Sequence, residues 1–397
     1  MYRAVSKYVC GRCFGNEGLV EFCRDHAEKR KCDFCSVRYR HPAAAPLDDV
    51  LDHVRSCVFQ HFDNPDNAGL SFDSEDGEYQ GITYSTDEIF DSLGLDFSRD
   101  RSGTLTAYVM DKLGNDLWCD ADPHGLTPSE QLRYSWEHFC EVIKHQRRYF
   151  FFADGAGPGQ SSELFSPNEI LEQIFAYAEE AGAFAELPAG TLIYRARYQP
   201  KGRLYNTALQ LGPPPSEFAI QTNRMSPPGI VMTYASEDHE TAIAETVSET
   251  GTYAIGHFVT ERAALLLDLT DLPAPPSLFS ELPDSSPYDP RPRLQFLHNV
   301  SEEISRPIAR DDRIHIEYIP TQVVTEYVRT FIRIGERAID GIRYKSSRNP
   351  EHSALVLFAD QGNLILEGSE RGEWYSLATD RWVRLENFTT RRRRKRA

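Results

Sequence analysis

The 397-residue sequence lacks any long apolar segment. Apolar stretches such as residues 263–267 are far shorter than the roughly 20 residues that a membrane-spanning helix needs. The N-terminal residues, 1–7, contain no apolar core of the kind found in a secretory signal. These two absences predict a cytoplasmic protein with no membrane partner.

Positive charge is also scarce, because 43 lysine and arginine residues are set against 60 aspartate and glutamate residues. The net charge of −17 disfavours a general nucleic-acid-binding protein, which needs a basic surface. The exception is an unbroken basic run at residues 391–396. Such runs are typically disordered. We expect this basic tail, 391–397, to aid solubility or to contact the acidic body, with nucleic-acid binding as the lesser alternative.

Two nucleotide-binding fingerprints are missing. No Gly-x-Gly-x-x-Gly follows a predicted strand, so the sequence does not predict a dinucleotide held as a hydride carrier. Residues 154–162 are rich in glycine, but no Gly-Lys-Ser/Thr follows them, which disfavours a phosphate-binding loop. This composition instead predicts a linker over residues 153–165.

Cysteine is infrequent, with eight residues, but four of them are clustered. Cys10 and Cys13 form one Cys-x2-Cys pair, and Cys32 and Cys35 form a second pair, with 18 residues between the two pairs. In a reducing compartment such pairs indicate a metal site rather than disulfides. Four thiolates fill the coordination sphere of a tetrahedral zinc ion and leave no position for substrate. The spacing therefore predicts structural zinc.

An alternative ligand set for the predicted zinc is also present. Cys23 and His26 lie between the two cysteine pairs, so either could replace one of the four predicted ligands. Cys57, Cys119 and Cys140 lie outside this cluster. We expect these three to be ordinary buried thiols.

The first 152 residues are predicted to be mostly helical. Apolar residues at helical spacing predict an amphipathic helix over residues 47–58. Ser85, Thr127 and Ser166 are each followed three residues later by glutamate, which is the capping-box signal of a helix N-terminus. The third of these helices opens a second predicted domain, residues 166–390.

From residue 190 onward, short apolar segments bounded by proline and glycine predict strands. The predicted strands are 192–194, 230–234, 254–259, 263–269 and 355–358. Helical segments interrupt them irregularly. This pattern predicts an α+β domain rather than a regular doubly wound sheet.

Separated motifs in this second domain occur in a distinctive order. They are Ile-Tyr-Arg-Ala-Arg at 193–197, Asn-Arg-Met-Ser-Pro-Pro-Gly-Ile at 223–230, Tyr234, Thr-Ala-Ile-Ala-Glu at 241–245 and Gly-Ile-Arg-Tyr-Lys-Ser at 341–346. Together they resemble the RES domain family, over residues 187–358. Known members are bacterial toxins that break the nicotinamide–ribose bond of NAD or move ADP-ribose. The resemblance implies the split β-sheet of ADP-ribosyltransferases.

The resemblance also implies a substrate site. Arg195 and Arg224 match the arginines that hold the dinucleotide, and a guanidinium group suits phosphate because it binds bidentately. Tyr234 is expected to stack on nicotinamide. Ser346, or its neighbour Ser347, is expected to hydrogen-bond the substrate.

Glu245 is the expected catalytic carboxylate, acting with Tyr234 and Arg195. Breaking the nicotinamide–ribose bond develops positive charge on the ribose, as in glycoside cleavage. A carboxylate beside the ribose stabilises that charge, and nicotinamide leaves as a neutral molecule without a general acid. The motifs predict NAD as the substrate but leave the acceptor open among water, phosphate and a protein side chain.

Residues 5–152 resemble the HEPN/RES domain that often precedes RES domains, and we expect this module to sense, regulate or dimerise. Arg133 and His138 fit the loose Arg-x4–6-His pattern of HEPN ribonucleases. The leading hypothesis is thus an NAD-consuming toxin or effector. A HEPN-type ribonuclease and a zinc-dependent binding module are the alternatives. The family resemblance adds two expected partners, an antitoxin or immunity protein and a second copy of the chain.

Overall fold

The computed structural model describes residues 6–151, 163–246, 250–282, 288–306, 313–366 and 381–393. Most of the predicted linker and the end of the basic tail, residues 394–397, lie outside these ranges. The chain forms two compact units: unit 1 comprises residues 1–130 and 275–292, and unit 2 comprises 131–274 and 293–397. In the described ranges, no helix combines the length and the apolar character needed to cross a membrane.

Unit 1 is built from short helices and very short strands. Its helices are α1 (Glu17–Asp25), α2 (Leu47–Val58), α3 (Thr86–Ser92) and α4 (Leu105–Leu113). Its strands are β1 (Tyr8–Val9), β2 (Ala45–Pro46), β3 (Phe62–Asp63), β4 (Phe72–Asp73), β5 (Glu78–Tyr79), β6 (Tyr84–Ser85) and β7 (Leu117–Asp120). Helix α2 confirms the predicted amphipathic helix, because its apolar face is buried.

A segment distant in sequence completes the core of unit 1. Phe279 is fully buried in the same apolar cluster as Phe14, Leu19 and Trp118. Its carbonyl oxygen lies 2.8 Å from Nε2 of His53. The sequence-based division placed residues 275–292 in the second domain, because nothing in their local pattern predicts this long-range packing.

The three predicted capping signals all start helices. Helix α3 follows Ser85, α5 (Pro128–Glu141) follows Thr127, and α6 (Pro167–Glu180) follows Ser166. In each case the backbone N–H of the capping residue donates to the glutamate three residues later. Helix α5 continues as a π-helical turn, Val142–Gln146. These signals are local, which is why the sequence alone predicts them.

Unit 2 contains the larger set of strands. Its remaining helices are α7 (Ala208–Leu211), α8 (His239–Thr246), α9 (Arg291–Ser305), α10 (Ile314–Glu317) and α11 (Ile319–Phe331). Its strands are β8 (Phe184–Leu187), β9 (Leu192–Gln199), β10 (Thr233–Ser236), β11 (Gly251–Thr260), β12 (Ala264–Asp268), β13 (Arg333–Ile334), β14 (Arg337–Ala338), β15 (Gly341–Lys345), β16 (Ser353–Leu357), β17 (Leu364–Ile365) and β18 (Val383–Arg393).

Most of the predicted strands are present, but the one at 230–234 is displaced. Strand β10 begins only at Thr233. The preceding residues are held in a turn, since Gly229 N–H donates to the carbonyl of Ala219 and Ile230 N–H donates to that of Pro227. Tyr234 therefore lies inside the strand instead of ending it.

Nine strands of unit 2 form one mixed sheet in the order β17-β18-β11-β9-β10-β16-β15-β12-β8. Strands β9 and β10 pair only through Ser236 and Tyr194. This junction divides the sheet into a four-strand part and a five-strand part. The predicted α+β class and split sheet are thus confirmed, with the two parts joined at one point.

Helices cover the two parts of the sheet differently. On one face of the five-strand part, α6, α9 and α11 bury apolar side chains against β12, β15 and β16. Helix α7 packs mainly on the four-strand part, against apolar residues of β9, β11 and β17. Each fully buried aliphatic or aromatic side chain contributes about 1.5–3 kcal/mol, so these layers fix the strand ends that carry the site.

The basic tail begins as ordered structure, contrary to the expectation of a disordered segment. Residues 391–393 are the last residues of β18, which pairs antiparallel with β11. Arg391 Nη1 lies 2.5 Å from Glu240 Oε1, and Arg393 pairs with the same carboxylate. These partners are exposed, so each pair contributes at most about 1 kcal/mol. Strand pairing therefore supplies most of the order.

Candidate active site

Glu245 lies in the second turn of α8, because this helix begins at His239. Asp238 precedes the helix and accepts hydrogen bonds from the backbone N–H and the hydroxyl of Thr241, both at 2.7 Å. This cap fixes the start of α8 and thereby the direction in which Glu245 projects.

Ser346 holds the Glu245 carboxylate. Its hydroxyl donates to Glu245 Oε1 at 2.5 Å and accepts from the backbone N–H groups of Arg348 and Asn349, at 3.2 and 3.1 Å. Asn349 Nδ2 also donates to Thr241 Oγ1 at 2.7 Å. The turn after β15 is therefore tied to α8 at two positions.

These contacts give Ser346 a different environment from the expected one. A serine hydroxyl has one proton and two lone pairs, and all three are used within the protein. Ser346 is also only 2% exposed. Of the two candidate serines, Ser346 is the one whose hydroxyl touches the Glu245 carboxylate.

Arg195 is a partly accessible cation without a counter-charge. Its Nη1 donates to the carbonyl oxygen of Tyr234 at 2.7 Å, while its Nε is enclosed and has no hydrogen-bond partner. In the described part of the chain, no carboxylate pairs with it. Burial, together with the nearby charge of Arg197, lowers the pKa of Arg195 to about 10. The guanidinium thus stays charged at neutral pH and lacks an anion.

Tyr234 joins strand β10 to the Ser-Pro-Pro-Gly turn. Its hydroxyl lies 3.0 Å from Ser226 Oγ and accepts the backbone N–H of Met225 at 3.3 Å. Burial raises the pKa of Tyr234 to about 12, so the phenol is neutral at pH 7. The ring of Tyr234 packs against the apolar core of unit 2, and its hydroxyl is held by the Ser-Pro-Pro-Gly turn.

Arg224 opens that turn and is anchored at the end of α9. Its Nη1 donates to the carbonyl of Ile304 at 2.5 Å, where a helix terminus leaves carbonyl groups without partners. Its Cζ lies 5.9 Å from the centre of the Tyr318 ring. The hydroxyl of Thr321 donates to its carbonyl at 2.5 Å. Backbone and side chain of Arg224 are therefore both fixed.

Tyr344 links these groups, although the sequence did not single it out as a site residue. It is 6% exposed. Burial is the largest cause that raises the pKa of Tyr344, the negative charge of Glu245 raises it further, and the positive charge of Arg224 opposes both. Such effects require proximity, because salt and water screen charges beyond about 10 Å.

The predicted site residues are therefore brought into one region of unit 2. Ser346 contacts Glu245, and Arg195 contacts the Tyr234 backbone. Strands β10 and β15, which carry Tyr234 and Tyr344, both pair with β16. The Gly-Ile-x-Tyr-x-Ser motif that contains Tyr344 was the available signal for this residue.

The second predicted pair, Arg133 and His138, is not brought together in this way. Both lie on α5, and five positions on a helix place two side chains about 140° apart around its axis. Arg133 is exposed, with its Cζ 4.4 Å from the Tyr134 ring. The geometry gives no support to the ribonuclease alternative.

The cysteine pairs meet in unit 1 as the sequence predicted. The sulfur atoms of Cys10, Cys13, Cys32 and Cys35 lie within 4.8 Å of one another, and all four residues are buried. Three of the sulfur–sulfur distances are 3.7 Å. A tetrahedral Zn–S length of about 2.3 Å corresponds to an edge of about 3.8 Å. The group therefore could hold a metal ion, and its donor set fits zinc.

The alternative ligands stand outside this group. Cys23 is buried nearby but is not one of its members, and Nδ1 of His26 lies 3.0 Å from the carbonyl of Phe22. Cys57 and Cys119 are buried as expected, whereas Cys140 is only partly so.

Comparison with protein-family models identifies two domains in this chain. Residues 192–375 match the RES domain, which includes all five predicted site residues. The chain therefore contains a RES domain. Residues 25–156 match HEPN/RES N-terminal domain 1, which is found ahead of this RES domain as predicted. That match contains Cys32 and Cys35 but begins after Cys10 and Cys13.

Comparison with curated proteins and with solved structures finds no match. The RES assignment therefore rests on the family model, the fold and the ordered motifs.

Proposed function

We propose that the RES domain cleaves the nicotinamide–ribose bond of NAD and acts as a toxin or effector that depletes it. Arg195 carries this proposal. Its guanidinium group has an enclosed Nε and, among the described residues, no carboxylate partner. The resulting desolvation cost is one that an anionic ligand would offset. The diphosphate of NAD is such a ligand, and Arg224 provides a second cation for it.

Glu245 would stabilise the positive charge that develops on the ribose. Its contact with Ser346 supports this role, because a pre-positioned carboxylate needs no reorganisation during the reaction. The bond between the ribose carbon and the nicotinamide nitrogen breaks, and its electron pair leaves with neutral nicotinamide. The acceptor oxygen then bonds to that carbon and loses its proton to solvent. The ring of Tyr234 would pack on nicotinamide.

The acceptor distinguishes three reactions with the same first step. Water gives ADP-ribose, phosphate gives ADP-ribose 1″-phosphate, and a protein side chain gives a modified protein. We favour hydrolysis or phosphorolysis and keep ADP-ribosyl transfer as the alternative. Incubation of the full chain with NAD, with and without phosphate and protein acceptors, followed by mass spectrometry, tests this. Intact NAD under all of these conditions would overturn the proposal.

Arg195→Gln is expected to raise the KM for NAD at least about tenfold, since charge-assisted hydrogen bonds contribute about 1.5–3 kcal/mol. The matched control is Arg197→Gln on the same strand. Arg197 donates to the carbonyl of Gln210 at 2.6 Å and lies over the Tyr205 ring, so its loss should change KM less. Steady-state kinetics of both variants checks this, and equal effects would argue against a phosphate role for Arg195.

Ser346→Ala is expected to lower kcat about 10- to 100-fold with little change in KM, because a small displacement of a catalytic group has effects of this size. It should also lower the free energy of unfolding by about 1–3 kcal/mol, since two backbone N–H groups lose their acceptor.

Two variants separate positioning from simple destabilisation. Ser346→Thr keeps the hydroxyl and should restore kcat, whereas Ser347→Ala should resemble the parent protein. A Ser346→Ala variant with normal kcat and a raised KM would instead place this hydroxyl on the substrate.

A further inference from the structure

Unit 1 contains a cavity of about 310 Å³ that the reaction proposed above does not use. It lies beside the cysteine group and is lined by Arg12, Cys35, Val37, Tyr39, Ser98, Arg99 and Arg101. We call it the arginine cavity. Three arginines around one cavity are unexpected on a chain with a net charge of −17.

Within the part of the chain that the structure describes, the arginines of this cavity form no ion pair with a carboxylate. Ion pairs among the described residues of unit 1 involve other side chains. The acidic residues of the same loop are turned to its own backbone: Asp96 accepts from Ser98 N–H at 2.8 Å, and Asp100 accepts from Leu105 N–H at 2.6 Å. Hydrogen bonds from Ser98, and to a lesser extent the charge of Arg99, lower the pKa of Asp96. Arg99 therefore has one acidic neighbour, but neither Arg99 nor Arg101 is in an ion pair among the described residues of unit 1.

A metal ion in the cysteine group accounts for only part of this positive charge. A divalent ion with four thiolates carries a net charge of −2. Arg12 lies between Cys10 and Cys13 in the 3-10 turn Gly11–Cys13, which suits a cation that offsets the thiolates. Arg99 and Arg101 come from a separate loop, so they are available to another anion.

The remaining walls suit an organic ligand rather than a bare ion. Tyr39 donates its hydroxyl to Cys10 Sγ at 3.1 Å, which fixes the ring in the cavity wall. Val37 is 41% exposed and adds apolar surface. An aromatic ring next to guanidinium groups can receive a planar base while the arginines bind phosphate bidentately. The cavity volume is at the lower end of the range for small-molecule sites.

We propose that the arginine cavity binds a phosphorylated small molecule of nucleotide size. The phosphates contact Arg99 and Arg101, and the organic part lies against Tyr39 and Val37. This site is separate from the RES residues and does not depend on the proposed NAD cleavage. It gives the HEPN/RES module a ligand-sensing role.

The probes are ADP, inorganic pyrophosphate and adenosine, measured by isothermal titration calorimetry with the full chain. Each is tested in the Arg195→Gln background as well, so that binding at the RES site is recognised. We expect ADP to bind in both backgrounds, pyrophosphate to bind more weakly and adenosine to bind least. Arg99→Gln/Arg101→Gln should weaken ADP binding at least about tenfold, since bonds to charged groups contribute about 1.5–3 kcal/mol.

Arg24→Gln is the matched control, since Arg24 is an exposed arginine of α1 outside the cavity. It should leave ADP binding unchanged, and an unaltered thermal unfolding curve shows that the double variant is folded. Absence of ADP binding, or equal binding by the double variant and the control, overturns the proposal. Binding of a single-stranded oligonucleotide through the same arginines, without binding of ADP, also overturns it.

Discussion

Glu245→Gln is expected to reduce the kcat of NAD cleavage by about 100- to 1000-fold, the range seen when one electrostatic stabiliser of a transition state is removed. Glutamine keeps the size of the side chain and an oxygen that can accept from Ser346. It removes the negative charge that opposes the developing charge on the ribose. In bound NAD the positive charge lies on the nicotinamide ring, and it develops on the ribose only as the bond breaks. KM should therefore change much less than kcat.

The control for this prediction is Glu240→Gln. Glu240 lies on the same helix but is exposed and pairs with Arg391 and Arg393 of β18. It should retain nearly full kcat, with stability lowered by no more than about 1 kcal/mol per lost pair. The rate of nicotinamide release, followed over time by chromatography, gives the kcat of both variants. Normal turnover by Glu245→Gln would remove the carboxylate from the mechanism.

Local features of the fold are predicted well by the sequence because their causes are local. The capping boxes at Ser85 and Ser166 lie within a few residues of the helices that they start. The apolar spacing of α2 reflects one buried face. The cysteine pairs each come from a short turn, so spacing alone indicated that their sulfur atoms would meet.

Long-range features of the site could not be derived in this way. Ser346 and Glu245 are 101 residues apart, and Arg224 and Ile304 are 80 apart. Motif order identified the residues, but their hydrogen-bond partners depend on sheet topology. The motif match therefore predicted Ser346 as a site residue, but its hydrogen bond to Glu245 is known only from the structure.

The same distinction applies to the β18 strand and to Phe279. The basic run at 391–396 has the composition of a solvated tail, yet its first residues pair with β11 over a long separation in sequence. Phe279 is buried in unit 1 by contacts with residues far from it in sequence. Neither outcome follows from composition, because strand pairing and core packing depend on the rest of the chain.

Cys32→Ser is expected to remove one equivalent of zinc and to prevent unit 1 from folding stably. Structural zinc contributes about 10–16 kcal/mol of apparent binding free energy at neutral pH, which is as large as the whole stability of a typical domain, about 5–15 kcal/mol. The four cysteines are part of the apolar core of unit 1 together with Phe14 and Leu19. Zinc content by mass spectrometry and thermal unfolding, with and without chelator, measure the effect.

Cys23→Ser is the informative control, because it tests the alternative ligand as well. Cys23 is 1% exposed in the same core, so serine should lower the unfolding temperature while zinc content stays at one equivalent. Loss of zinc in this variant would show that Cys23 is a ligand in place of one of the four cysteines. Full zinc content in Cys32→Ser would exclude the group itself. The two variants together separate coordination from packing, since both remove a buried thiol and only Cys32→Ser removes a member of the four-cysteine group.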